Sequence, residues 1–343
     1  MPLLDNLKEK LRRHPKRIVF PEGGDPRIIQ AARQFVTNKL GVPVLLGDRR
    51  EIKERAMQLN INLDRIRLVE PERTDEVELY IDFLKKVPRY GNLNNDELRE
   101  IALDKNHYAA LMVSNGQADG LVSGATVGAS SALRPLLRIL PRQPGVETVS
   151  SLLILDVAID EDERKIIVLA DSAVIPMPTE EQLCDIGINA ARLRNHFMDE
   201  RSKIAFLSYT TASNHAKDVR VVKMKNATEL AKKKVGDLGF DFDLEGEMQA
   251  DAALDPFTAK IKGLSGPVAG NANVLVFPDL MASNITSKMV QCLANCRSYG
   301  QILTGFTRPA AEISRSSSAH DILGTAVIVA VQAVDRNLIL TES

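Results

Sequence analysis

Short apolar runs of strand composition alternate along the 343-residue chain with longer segments of helical spacing, which predicts a mostly parallel, doubly wound α/β fold. Two further observations support that class. The strand-like runs are continuously apolar, as in strands covered on both faces. Several also lead directly into loops rich in small polar residues, where open α/β sheets bind ligands.

The elements follow in order. RIVF (17–20) leads into PEGGDPRIIQAARQF, and VPVLLG (42–47) into DRREIKERAMQL. IRLVE (66–70) precedes a charged helical stretch from Thr74 to about Lys86, and ADGLVSG (118–124) opens another turn and helix. The Pro/Gly-bearing PRQPGV (141–146) marks a candidate domain crossing. The pattern then restarts with SLLILDVAI (151–159), KIIVLAD (165–171), KIAFLSY (203–209) and NVLVFPDL (273–280). Residues 215–246 are the most charged and read as solvated helix and loop. The length accommodates two domains or one large α/β unit, with ample core.

Composition narrows the function classes. Lys and Arg number 44 against 45 Asp and Glu, so no basic surplus points to nucleic acid or an anionic membrane. Trp is absent and aromatics make up 4%, which argues against base-stacking platforms. Cys184, Cys292 and Cys296 are too few for a disulfide framework. Cys292 and Cys296 are four apart on an expected helix; without a His at metal spacing nearby they read as buried or free thiols rather than a metal site. The start, MPLLDNLKEKLRRHPKR, is charged and amphipathic with no apolar signal core, and no apolar run reaches about 18 residues. The expectation is a cytoplasmic protein without a membrane segment.

Six loops are rich in small polar residues: PEGGDPR (21–27), SGATVGASS (123–131), ADSAVIPMP (170–178), SYTTASNH (208–215), PDLMASNITSK (278–288) and SRSSSAHD (314–321). Five directly follow a strand-like run, which points to a shared cleft. In the last loop Ser314 and Arg315 precede Asp321 at a helix start. One reading is Ser/Asp capping with a solvated Arg. The other is an anion site, with Arg315 as a donor fork and Asp321 as a base. SGATVGASSALRP likewise reads either as a turn or as an anion nest closed by Arg134. Neither the Walker nor the GxGxxG pattern is present, and Ser123 and Ser208 lack the GxSxG elbow. The five His residues form no cluster, and His320, though adjacent to Asp321, points another way on a helix. Glu245, Glu247 and Asp251 read as solvated or contact carboxylates before metal ligands.

Taken together, these residues resemble the phosphate acetyltransferases (phosphotransacetylases) and phosphate butyryltransferases. The matching blocks are FPEG at 20–23, ADGLVSGA at 118–125, RP at 134–135, ADS and MP within 170–178, and KIAFLSY at 203–209. GEMQADAA at 246–253, VAGNANVLVFPDL at 268–280, SNI and Lys288 within 283–288, and the SR…D element continue the series in order. The resemblance implies two α/β domains, 1–144 plus 305–343 and 145–304, with the active cleft between them, in a homodimer. It implies reversible acyl transfer, with acetyl the expected group, between acyl phosphate and coenzyme A in a ternary complex. No metal or bound cofactor is implied, because coenzyme A is a substrate. Arg315 would hold phosphate, Asp321 would take the thiol proton and Ser314 would steady the reacting groups. Ser123, Gly124, Thr126 and Arg134 would line the substrate site, with Ser208, Thr210, Asn284 and Lys288 on the other side.

Departures from the family spelling fall in the loops. Ser316-Ser317 stands for Gly-Cys after Ser-Arg, and Ser283-Asn284-Ile285-Thr286-Ser287-Lys288 lacks the family's Gly and Tyr. Ala212-Ser213-Asn214-His215-Ala216-Lys217 lacks a Lys and a Gly, Val127 replaces a His, and Gln301 replaces a Pro. A second reading is therefore a non-catalytic acyl-CoA-binding regulatory or partner module of the same fold.

Overall fold

A computed structural model describes residues 2–160, 163–212 and 217–334. The chain forms two compact units, Met1–Gly145 with Phe306–Ser343, and Val146–Gly305.

The first unit carries five strands, β1 (Lys16–Phe20), β2 (Gly41–Leu46), β3 (Arg67–Val69), β4 (Gly120–Ser123) and β11 (Ala310–Glu312). Their order is β3-β2-β1-β4-β11, with every neighbouring pair parallel. The chain winds outward from β1 to β3 and then returns to the other side of β1, so the order reverses between β1 and β4. That reversal is the position at which doubly wound sheets open a crevice beyond the strand ends. Asp25 caps the following helix, Pro26–Thr37, and Pro26 sits at its first turn, where the missing N–H costs nothing. The helix buries Ile28, Ile29, Phe35 and Val36. Helix Ala319–Val334 is apolar on all sides and buried from Ile322 to Gln332. It packs on β1 and β4 and against helices Pro2–Arg13 and Pro26–Thr37. Gly120 permits this closeness, because a Cβ there would lie 2.5 Å from Val329 Cγ1.

The second unit carries β5 (Ser150–Ala158), β6 (Arg164–Ala170), β7 (Lys203–Leu207), β8 (Asp243–Met248), β9 (Val274–Val276) and β10 (Cys296–Thr304). The order is β10-β5-β6-β9-β7-β8. The β5 pairings with β10 and β6 are antiparallel, and the remaining pairs are parallel. Leu153, Leu155, Leu169, Leu207, Met248, Leu275 and Phe277 form one buried cluster on this sheet.

Three strands escape an apolar-run reading. DLEGEM (243–248) is strand β8, although its charge placed it in the solvated segment; Leu244, Glu247 and Met248 are buried, Asp243 pairs with Arg201 and Glu247 accepts from Thr210. Strand β10 is interrupted by polar residues, and β11 is only AAE. Cys296 therefore begins a strand, and the expected helix carrying both Cys292 and Cys296 ends at Leu293. All six polar loops thus begin at or just beyond a strand end, SRSSSAHD included. The SYTTASNH loop lies outside the described residues from position 213 onward. Among the described residues no helix is long and apolar enough to cross a membrane.

Gly120→Val should destabilise the protein by about 2 kcal/mol or more, because neither β4 nor the buried helix can yield without opening the core. A denaturant midpoint equal to wild type would show that the contact is not tight.

Candidate functional site

In the first unit the loops after β1, β4 and β11 lie at the ends of three adjacent strands. One side chain joins them. Arg27 Nη1 donates to the carbonyls of Arg315 at 2.6 Å and Ser317 at 3.0 Å, while Nη2 donates to Ala125 O at 2.8 Å. Asp25 orients the guanidinium, with Oδ2 accepting from Nη2 at 2.8 Å and Oδ1 from Nε at 3.1 Å. Burial alone would raise the Asp25 carboxyl, but the Arg27 hydrogen bonds hold it below its ordinary range. The planar fork of Arg suits this task, since five donors in a fixed plane can serve several acceptors at once.

Within the β11 loop, Ser317 N–H donates to Ser314 O at 2.9 Å, and the Ser314 and Ser316 hydroxyls lie 2.9 Å apart. Arg315 is exposed, and its guanidinium makes no hydrogen bond among the described residues. Ser318 and Asp321 form a reciprocal cap at the start of helix Ala319–Val334. Asp321 Oδ2 accepts from Ser318 Oγ at 2.6 Å and from Ser318 N at 3.1 Å, and Asp321 N–H returns a bond to Ser318 Oγ at 3.2 Å. The capping reading of these residues is therefore realised, with Oδ1 outside the cap.

The β4 loop differs. Helix Ala129–Ile139 begins after Gly128 with no side-chain cap, so its first amides remain available for an anion. Thr126 and Arg134 are exposed, whereas Ser123 is buried with no hydrogen-bond partner for Oγ. Gly124 has φ +112°, and a Cβ there would lie 2.4 Å from Ile313 O, so only glycine fits. Its N–H donates to Glu22 Oε1 at 2.8 Å. Burial pushes the Glu22 carboxyl above its ordinary range, partly offset by the Gly124 and Thr126 amides. Arg27 therefore brings Ala125 beside Arg315 and Ser317. Among the described residues no hydrogen bond places Arg134 beside them.

In the second unit the predicted residues fall into two groups. Thr210 Oγ1 donates to buried Glu247 Oε1 at 3.1 Å and lies 3.3 Å from Ser208 Oγ. Asn284, on helix Leu280–Leu293, donates to Ser172 O at 3.3 Å, which ties that helix to the β6 loop. Lys288 lies one turn further on, with Nζ 3.4 Å from Gln291 Oε1. The β6 loop is wound around Asp171, whose carboxylate accepts from the amides of Ser151, Ala173, Val174 and Ile175. The three carboxylates of 245–251 are not clustered in function: Glu247 serves Thr210, and Asp251 pairs with Lys262 at 2.6 Å.

Sequence reading passed over Arg27, Glu22 and Asp171, and it read Glu247, which is buried, as a solvated or contact carboxylate. The first three lie inside polar loops it had marked, but nothing local distinguishes a buried acid or a stapling Arg from a cap. The pairing of β1, β4 and β11 supplies the partners of Arg27 and Glu22, whereas Asp171 finds its own at the ends of β5 and β6 and Glu247 finds Thr210 beyond β7.

Residues 2–330 match the family model described as "Phosphate acetyl/butaryl transferase". A phosphate acetyltransferase of Clostridium acetobutylicum is 36% identical over 334 residues, covering 97% of this chain and 99% of its own. Among solved structures, a phosphotransacetylase from Streptococcus pyogenes superposes with a TM-score of 0.86 at 35% identity, covering 97% of this chain and 98% of its own. A phosphotransacetylase from Staphylococcus aureus gives 0.82 at 32% identity, with 96% and 98% covered.

Arg27→Ala should cost about 2 kcal/mol and speed hydrogen exchange at 125–127 and 315–318 together, and Lys should not restore protection. Exchange confined to one loop would contradict a shared staple. Because the folded Asp25 pKa lies below the ordinary 3.8, its contribution is complete above that value and is lost as pH falls through the folded pKa. Asp25→Asn, which keeps the cap, should therefore lower stability by about 1 kcal/mol near neutrality and by less at an acid pH well below 3.8. An equal deficit at both pH values would refute the charge pairing.

Proposed function

Since the chain belongs to the phosphate acetyl/butyryl transferase family, we propose that it catalyses reversible acyl transfer, acetyl foremost, between an acyl phosphate and the thiol of coenzyme A. The observation that carries this reading is the uncommitted Arg315 guanidinium, borne on a loop that Arg27 ties to the one leading into the uncapped helix at Ala129. That combination suits a phosphoryl group, because guanidinium and helix amides both favour dianionic oxygens.

The reaction proceeds in a ternary complex. A free thiol with pKa about 8.5 is mostly protonated at neutral pH, so attack needs a base. Asp321 takes that proton on Oδ1, the oxygen outside the helix cap. The sulfur then bonds to the acyl carbon, the carbon–oxygen bond to phosphate breaks, and inorganic phosphate leaves against Arg315. Ser314 steadies the reacting groups. Thr126 and Arg134 extend the substrate contacts of the first unit, and Ser208, Thr210, Asn284 and Lys288 are the substrate-contact residues we propose for the second. Ser123 and Gly124 act from within, by shaping the loop. Coenzyme A is substrate, and the step requires no bound cofactor. A cytoplasmic setting suits these substrates.

A second reading is favoured by the cap itself. With Oδ2 of Asp321 already engaged, the site would bind acyl-CoA without turning it over. We also propose a homodimer. Met281, Ile285, Met289 and Leu293 recur every fourth residue along one helix and are 55–80% exposed, an apolar row suited to a second copy.

Thioester formation from acetyl, propionyl and butyryl phosphate with coenzyme A separates the two readings. Turnover is expected, with Arg315→Ala lowering kcat/KM by about 10²-fold or more and Asp321→Asn lowering kcat by a similar factor. No turnover with any acyl phosphate, alongside tight acyl-CoA binding by calorimetry, would establish the binding module instead. Light scattering should give twice the chain mass, falling to a single chain in Ile285→Glu/Met289→Glu. A monomeric wild type would remove the dimer.

A further inference from the structure

We propose that Glu22 is a positioning residue of this site: its buried carboxylate holds the Gly124 amide and thereby sets the loop from which the anion-facing helix Ala129–Ile139 starts. The inference rests on the phosphate-binding part of the function proposed above and assigns a role that lies outside the reacting groups.

Glu22 stands where the strand order reverses, between the ends of β1 and β4. Its mount is rigid. Gly23 N–H donates to Leu46 O at 3.0 Å, and a Cβ on Gly23 would lie 2.7 Å from that same oxygen. On the other side, Asp25 N–H donates to Glu22 O at 3.0 Å. From this fixed base the side chain reaches the β4 loop, where Oε1 accepts from Gly124 N at 2.8 Å. Gly124 is pressed from the opposite side by β11, with Ile313 O and Glu312 Oε1 filling the space a Cβ would take. The β4 loop is therefore clamped between Glu22 and β11 before it turns into the helix.

The arrangement is a poor choice for stability alone. Glu22 is 8% exposed, and its Oε2 is buried without a hydrogen-bond partner. Burying a carboxylate with one oxygen unmatched is costly, and an apolar residue of similar volume would fill the space at less cost. An acceptor at this place is what the Gly124 amide needs, because an orphaned buried N–H would release the loop. Thr126, exposed two residues further along, lies on the stretch that the Gly124 bond anchors.

The test compares Glu22→Gln, which keeps an acceptor oxygen, with Glu22→Ala and Glu22→Asp, which remove or withdraw it, in the full chain. Two readouts are used: steady-state KM and kcat with acetyl phosphate and coenzyme A, and the dissociation constant for inorganic phosphate by ³¹P NMR. Ala and Asp should raise the acetyl phosphate KM and the phosphate dissociation constant by about tenfold, equivalent to one lost hydrogen bond. The coenzyme A KM should move by less than about twofold, and Gln should stay within about threefold of wild type throughout. If Ala fails to fold, Asp carries the comparison. Unchanged phosphate affinity in folded Ala or Asp variants overturns the proposal, as does a Gln variant as impaired as Ala, or a wild type that binds no phosphate. Absence of turnover in wild type would sink the enzymatic reading alone. The phosphate constants would still decide the role of Glu22.

Discussion

The candidate site in the first unit depends on one guanidinium. Loops after β1, β4 and β11 have no regular structure of their own, and beyond the bond from Gly124 to Glu22 little else among the described residues ties their outer parts together. Arg27 converts them into a single body by donating to carbonyls of two other loops while Asp25 fixes it from its own. Because the acceptors are backbone oxygens, the staple sets chain path and leaves side chains such as Arg315 uncommitted. A division of labour follows: Arg27 serves the path of the chain, while Arg315, on a loop that it ties, stays exposed.

Two neighbouring helix starts illustrate how similar sequence material takes different parts. Ser318 and Asp321 close the amides of helix Ala319–Val334 with a reciprocal cap. Helix Ala129–Ile139 opens after a glycine with none. The uncapped end is suited to hold a ligand and the capped end to hold a base in a fixed orientation, provided Oδ1 rather than Oδ2 faces the substrate.

Much of this was legible in the sequence, and for physical reasons. Continuous runs such as RIVF and KIAFL announce buried strands, and the polar loops after them begin at the strand ends. Block order alone pointed to the family that residues 2–330 match. Strand β8 was hidden because DLEGEM buries an acid, Glu247, beside Leu244 and Met248 and pairs its acids with distant residues, and β11 because three residues carry no periodicity. Arg27 and Glu22 were hidden for another reason. Their partners lie about a hundred or more positions away, at Gly124, Ala125, Arg315 and Ser317, and become neighbours only once β4 and β11 pair.

The most direct measurement is a crystal structure of the protein grown with inorganic phosphate. The account predicts a phosphate accepting hydrogen bonds from the Arg315 guanidinium and from amides at the start of helix Ala129–Ile139, with the Arg27 bonds to Ala125, Arg315 and Ser317 intact. A phosphate bound elsewhere, or one held at this edge while Arg315 points away and the Arg27 bonds are broken, would contradict it.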